Sequence, residues 1–178
     1  MKKIALSALL CGFIATPALA EKFSPVYVEA GLGHAVYTDR KSPNVARIAA
    51  GVRFTPMVAA EIGFSSFNYS VISMKPDSNF TFRASSVQAA LVGNYPVNQE
   101  FDFIAKFGID RNTTKISTQV PAASATQSNR NWFYSFGGEY HINKSFSLRG
   151  TYDDYGFFID GPTTVPVTAF SLALHYNF

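Results

Sequence analysis

The chain has 178 residues, with 15 basic and 12 acidic side chains and one cysteine. Aromatic residues reach 15% and charged residues only 15%, a balance that excludes a disordered chain. With Cys11 alone, an intramolecular disulfide and a cysteine-ligated metal centre are both excluded.

Met1–Ala20 reads as a secretory signal. Lys2 and Lys3 make a basic start, Ile4 to Ile14 an apolar run, and Ala18-Leu19-Ala20 a small-x-small cleavage site. The run is too short to span a bilayer. Bulky Leu10 before Cys11 argues against lipoprotein processing. The mature chain is expected to run from residue 21 to 178. It loses Lys2, Lys3 and Cys11 with the signal and is nearly neutral, so the basic excess is no sign of nucleic-acid binding. After Ala20 no stretch approaches the roughly 20 apolar residues of a spanning helix.

The mature chain alternates with period two, as side chains do across a strand. Val26–Ala35 sets Val26, Val28, Ala30 and Leu32 against Tyr27, Glu29, Gly31 and Gly33. Ala46–Phe54 sets Ile48, Ala50, Val52 and Phe54 against Arg47, Ala49, Gly51 and Arg53. Val58–Phe67 sets Ile62 and Phe64 against Glu61, Gly63 and Ser65, and Phe82–Tyr95 sets Val87, Leu91 and Tyr95 against Ser86, Gln88 and Asn94. Phe101–Arg111 sets Phe103, Phe107 and Ile109 against Lys106, Gly108 and Asp110. Trp132–His141 sets Trp132, Tyr134, Phe136 and Tyr140 against Ser135, Gly137, Glu139 and His141. Phe146–Tyr155 sets Phe146, Leu148 and Tyr152 against Ser147, Arg149, Thr151 and Asp153. Val167–Phe178 sets Phe170, Leu172, Leu174, Tyr176 and Phe178 against Ser171, Ala173, His175 and Asn177. These strings predict eight strands.

The predicted connections alternate in length. Thr55–Met57, Pro96–Gln99 and Ile142–Ser145 are tight and carry Pro or Asn. Val36–Val45, Asn68–Thr81, Asn112–Asn131 and Gly156–Pro166 are expected to be long loops, the third of them mobile.

Alternation alone fits a soluble barrel with its apolar face inside, or a membrane barrel with that face outside. Three features favour the second. The polar face is crowded with small residues around a few long charged ones, which suits the narrow interior of an eight-stranded barrel. The apolar face ends in aromatics, with Phe54, Tyr95, Tyr140 and Phe178 near the short turns and Trp132 and Tyr37 near the long loops. Such girdles suit lipid–water interfaces. Long connections at one end and short ones at the other complete the pattern. The expected fold is all-β, an eight-stranded antiparallel up-and-down transmembrane barrel. Its lipid-facing set is Val28, Ile48, Ile62, Leu91, Phe103, Phe107, Phe136, Leu148, Leu172 and Leu174. Its interior charges are Glu29, Arg47, Arg53, Glu61, Lys106, Glu139 and Arg149.

Tyr95–Gly108 (YPVNQEFDFIAKFG), Gly137–Tyr152 (GGEYHINKSFSLRGTY) and Phe170–Phe178 (FSLALHYNF) resemble hairpins of the OmpA-type transmembrane barrel, within the wider OmpA/OmpX-like superfamily. The resemblance runs through the mature chain and is clearest after Phe82. It implies an outer-membrane location and a lumen closed by acidic and basic residues. By position Lys106, Glu139, Arg149 and Glu61 match such charges. Where that family has a lumen lysine before the YP turn this chain has Val92, so a gate built on that lysine is not carried over. The peptidoglycan-binding domain of full-length OmpA is also expected to be absent.

Catalytic and metal sites are not expected. Glu61, Lys106, Glu139 and Arg149 read as a structural network, because buried charges must be paired. His34, His141 and His175 fall on different strands, and the His-x-Ser of lipid A deacylases does not occur. Asp153 and Asp154 beside Tyr155 read as a solvated acidic rim, and Tyr69, Phe157 and Phe158 as loop aromatics. Phosphate loops and nucleic-acid patches are missing. The expectation is a non-enzymatic, cofactor-free monomer in contact with lipid and lipopolysaccharide. Its role is structural, or adhesive and protective through loops that meet a host or cell-surface ligand. The alternatives are an enzyme acting on lipid A and a small low-conductance pore.

Overall fold

The computed structural model describes residues 25–37, 44–72, 79–117, 125–160 and 163–178. The expected signal, Met1–Ala20, lies outside the described residues. The eight strands are β1 (Val26–Tyr37), β2 (Asn44–Thr55), β3 (Val58–Ile72), β4 (Asn79–Pro96), β5 (Phe101–Ser117), β6 (Ala125–His141), β7 (Phe146–Asp160) and β8 (Thr163–Asn177). Each pairs antiparallel with its sequence neighbour, and β1 pairs with β8, so the sheet closes into a barrel. Closure joins the first strand to the last, so the sheet has no free edge strand.

The period-two pattern determines which face turns inward. Along β2 the side chains alternate strictly, with Val45, Arg47, Ala49 and Gly51 inside and Asn44, Ala46, Ile48 and Ala50 outside. The apolar face points away from the barrel axis around the whole ring. Val28, Ile48, Ile62, Leu91, Phe103, Phe107, Phe136, Leu148, Leu172 and Leu174 all stand on it, none less than 38% exposed. Phe54, Tyr95, Trp132, Tyr140 and Phe178 are on the same outer face.

The three tight turns at one end are held by a side-chain oxygen that stands in for a missing ladder acceptor. Thr55 Oγ1 accepts from the Met57 and Val58 amides at 3.2 and 3.0 Å. Asn98 Oδ1 accepts from Glu100 and Phe101 at 2.8 and 2.9 Å, and Asn143 Oδ1 from Ser145 and Phe146 at 2.9 Å each.

The far end departs from the expectation of four long loops. The strands continue well into the segments read as loops. Asn112–Ile116 pairs with both β4 and β6, and Ala125–Asn131 pairs with β5. Phe157–Asp160 also pairs with Thr163–Pro166 across β7 and β8, and residues 161–162 lie outside the described residues. Polar, hydroxyl-rich sequence reads as loop by composition, yet it keeps the strand where even one ladder partner is present, as along Ala125–Asn131. Residues 38–43, 73–78 and 118–124 lie outside the described residues, as do the side chains of Tyr37, Tyr69 and Phe157.

The interior is layered. Tyr27, Ala59, Val92 and Ile104 cluster near the turn end. Charged residues fill the middle. Towards the far end Phe67, Phe133, Tyr155 and Phe158 pack with Val45, Val167 and small residues. The expectation of an entirely polar interior is therefore corrected. So is the reading of Phe158 as a loop aromatic: it is buried, with its ring 5.2 Å from that of Phe67. The pairing of β7 with β8 slips between Asp154 and Phe157, and Gly156 there has φ of 65°. A positive φ is cheap only for glycine, and the bulge re-aims the chain so that Phe158 turns inward.

Candidate functional site

Two groups of residues carry the chemistry of this barrel: a buried ion network in the lumen and the outer face. The network is placed by strand parity. Glu29 stands on β1, Arg47 on β2, Glu61 on β3, Lys106 on β5, Glu139 on β6 and Arg149 on β7, all pointing at the axis and all buried. Glu61 lies at the crossing point. Its Oε1 meets Lys106 Nζ at 2.7 Å and Arg47 Nη2 at 2.8 Å. Its Oε2 accepts from Tyr27 at 2.9 Å and from Arg149 Nη1 at 3.3 Å. Arg149 also donates to Glu29 Oε2 at 2.6 Å and, through Nε and Nη2, to Glu139 Oε2 at 3.0 and 2.6 Å. Arg47 lies 3.4 Å from Glu29 Oε1, and Lys106 3.6 Å from Glu29 Oε2.

Arg53 sits lower in the lumen. Its guanidinium donates to Asn177, meets His175 Nε2 at 3.0 Å and lies 4.7 Å from the centre of the Tyr27 ring. His175 stacks on that same ring, 4.4 Å between centroids. His141 stands at the turn end, 3.1 Å from Asp102 and 3.0 Å from Ser147 Oγ. Among the described residues no cluster of His, Cys, Asp or Glu is arranged to hold a metal ion.

The sequence reading missed Asp153. Far from forming a solvated rim, it is fully buried, pairs with Arg47 at 3.1 Å and accepts from Ser171 and Thr151 at 2.9 and 3.1 Å. Tyr155 is also buried, with its hydroxyl 3.0 Å from Ser65 Oγ. Only Asp154 of that trio faces outward. It accepts from the Tyr134 hydroxyl at 2.6 Å and from the Gly156 amide at 2.7 Å. The signal was present in the parity itself, since Asp153 shares its face with Arg149 and Thr151.

Buried charges of both signs are in mutual contact in the middle of the lumen, with apolar clusters above and below them. Glu29, Arg47, Glu61, Lys106, Glu139, Arg149 and Asp153 each contact at least one partner of opposite sign, as burial requires.

The family model described as "Outer membrane protein beta-barrel domain" matches residues 5–178. No curated protein sequence matches the chain. Among solved structures, Neisserial surface protein A is similar at 16% identity and a TM-score of 0.68, covering 87% of this chain and 98% of that one. Ail, the attachment invasion locus protein of Yersinia pestis, bound to the heparin analogue sucrose octasulfate, is similar at 16% identity and a TM-score of 0.65, with coverages of 88% and 99%. The N-terminal barrel domain of Pseudomonas aeruginosa OprF is similar at 9% identity and a TM-score of 0.63, with coverages of 87% and 98%. At these identities the likeness is one of fold.

Proposed function

The chain belongs to the family of the outer membrane protein beta-barrel domain and sits in the bacterial outer membrane, and from that premise we propose that it is a sealed, non-catalytic surface protein. It crosses the bilayer as a monomer, with both termini on the periplasmic side. The ten outward apolar residues face hydrocarbon, and the aromatic residues at the strand ends sit at the two interfaces. Strands of 12 to 18 residues exceed the roughly 9–11 needed to cross, so their far ends stand in the outer leaflet and beyond. The role is structural, or adhesive and protective through those outer ends. Ail, named for attachment and invasion and bound to a heparin analogue, supports the surface-interaction part.

One observation carries the closed-lumen part: the interlocked ions of Glu29, Arg47, Glu61, Lys106, Glu139, Arg149 and Asp153 block the axis with side chains at most 2% exposed. Planar-bilayer recording tests it. Purified monomer gives no steady conductance, and a reproducible unitary current refutes the stopper. Adhesion is tested by displaying the barrel on a non-adherent strain and counting bound host cells against a variant with the β5–β6 hairpin cut back to the membrane. Equal counts refute the surface role of that hairpin.

A further inference from the structure

We infer that the outer face of β4–β5–β6 carries a binding site for the phosphate groups of an outer-leaflet glycolipid. It goes beyond a generic surface role and rests only on the orientation proposed above.

Four basic side chains, Arg83, Arg111, Lys115 and Arg130, are exposed there. The register brings them together. Arg111 lies directly opposite Arg130, and Lys115 directly opposite Arg83. Directly opposed residues have Cβ atoms about 4.5–5.5 Å apart, and like charges so placed repel. Two such pairs stand on one sector, and among the described residues no carboxylate pairs with any of the four. An anion from outside the chain converts both repulsions into charge-assisted hydrogen bonds.

The surface between the pairs also suits a phosphorylated sugar. The intervening row is Ser85, Thr113 and Ser128, and the Thr113 and Ser128 hydroxyls lie 3.1 Å apart. Arg111 and Lys115 are four positions apart, about 13 Å along an extended strand, which leaves room for more than one anionic group.

The depth of the patch selects a lipid. One row below Arg111 and Arg130 stand Ile109 and Trp132, and below them Phe107 and Tyr134, all outward and exposed. Trp132 stacks on Phe107, 5.5 Å between ring centres. The sector thus changes from aromatic to cationic within one step of the ladder, at the height where a lipid's acyl chains give way to its headgroup. The remaining described basic residues are elsewhere: Arg47, Arg53, Lys106 and Arg149 inside the barrel, and Lys144 on the β6–β7 turn at the opposite end. Among the described residues the patch is therefore a local feature and not general surface charge.

Trp132 is the only tryptophan, so it reports on its own border. Folded protein in dodecylmaltoside micelles is titrated with bisphosphorylated lipid A and the Trp132 emission followed. A saturable change is expected, weakened about tenfold or more in the double variant Arg111→Gln, Arg130→Gln, because charge-assisted bonds are lost. It is expected to be unchanged in Lys144→Gln. Heat-modifiable gel migration confirms folding. If the double variant does not fold, Arg83→Gln with Lys115→Gln takes its place with the same expected loss. Equal binding by parent and variant overturns the site. So does an equal response to dephosphorylated lipid A. Saturation by inorganic phosphate at matching concentration overturns the lipid assignment, as does tighter binding of heparin than of lipid A. Orientation is read separately by labelling Ser128→Cys on intact cells with a membrane-impermeant maleimide. Failure to label overturns the outer-leaflet placement even where micelle binding holds.

Discussion

Replacing Arg149 by methionine removes the most connected cation of the lumen while keeping most of its volume. The parent guanidinium reaches Glu29 at 2.6 Å, Glu61 at 3.3 Å and Glu139 at 3.0 and 2.6 Å. Four charge-assisted bonds at about 1.5–3 kcal/mol each would suggest a very large loss. Much of that sum is cancelled because burying the ions already costs desolvation energy that methionine does not incur. What remains is the stranding of Glu139, whose next base is His141 at 3.8 Å. Removing one partner of a buried pair costs about 3–5 kcal/mol, and that is the expected loss for Arg149→Met. Adding Glu139→Gln removes the stranded charge. The double variant is expected to recover about 2 kcal/mol of coupling energy, the signature of residues in one network. Urea unfolding in lipid vesicles measures this, read by Trp132 emission and by the fraction of folded barrel in unheated gels. A loss below about 1 kcal/mol for Arg149→Met, or strict additivity in the double variant, would refute the reasoning.

Three further outcomes follow from the same geometry. Glu139→Ala is expected to cost about 3–5 kcal/mol against under about 1 kcal/mol for Asp154→Ala, since only the first leaves a buried cation facing an empty position; equal urea midpoints would contradict this. Phe158→Ala is expected to cost about 3–5 kcal/mol because it opens a cavity in the aromatic layer at the outer mouth, and an unchanged midpoint would place that ring outside the lumen. Gly137→Ala is expected to abolish folding, because its methyl would run into the Gly150 carbonyl oxygen of β7, backbone that cannot step aside; Gly93→Ala, whose nearest neighbour is 3.8 Å away, is expected to fold. Refolding yields from urea into vesicles compare the two.

Strand number, pairing order and the inside-out arrangement were legible because alternation is a local property of the chain. The same parity already placed Phe133 on the face of Ser135, and Phe67 on that of Ser65. Their packing with Tyr155 and Phe158 depends on the register of distant strands, which no local pattern carries. Phe158 was less accessible: the slip at Gly156 changes the count, and no local pattern announces a bulge in a stretch read as loop. Asp153 is hard to place for a related reason: a β7 that ends at Tyr155 puts its last turn at the rim, whereas the strand runs on to Asp160. The basic patch was hidden differently. Arg83, Arg111, Lys115 and Arg130 are scattered over 48 positions of sequence, and only the register of three strands makes them neighbours.

The seam between β1 and β8 sets the order in which this molecule can be finished. Tyr27 meets Asn177 and Tyr37 meets Val167, eleven consecutive rungs joining the first-made strand to the last. A ribosome emits β1 long before β8, so the seam cannot zip shut until all eight strands have been made. The nascent polypeptide must travel with both flanks bare, and an escort that shields sticky ribbons is needed until the final rung arrives.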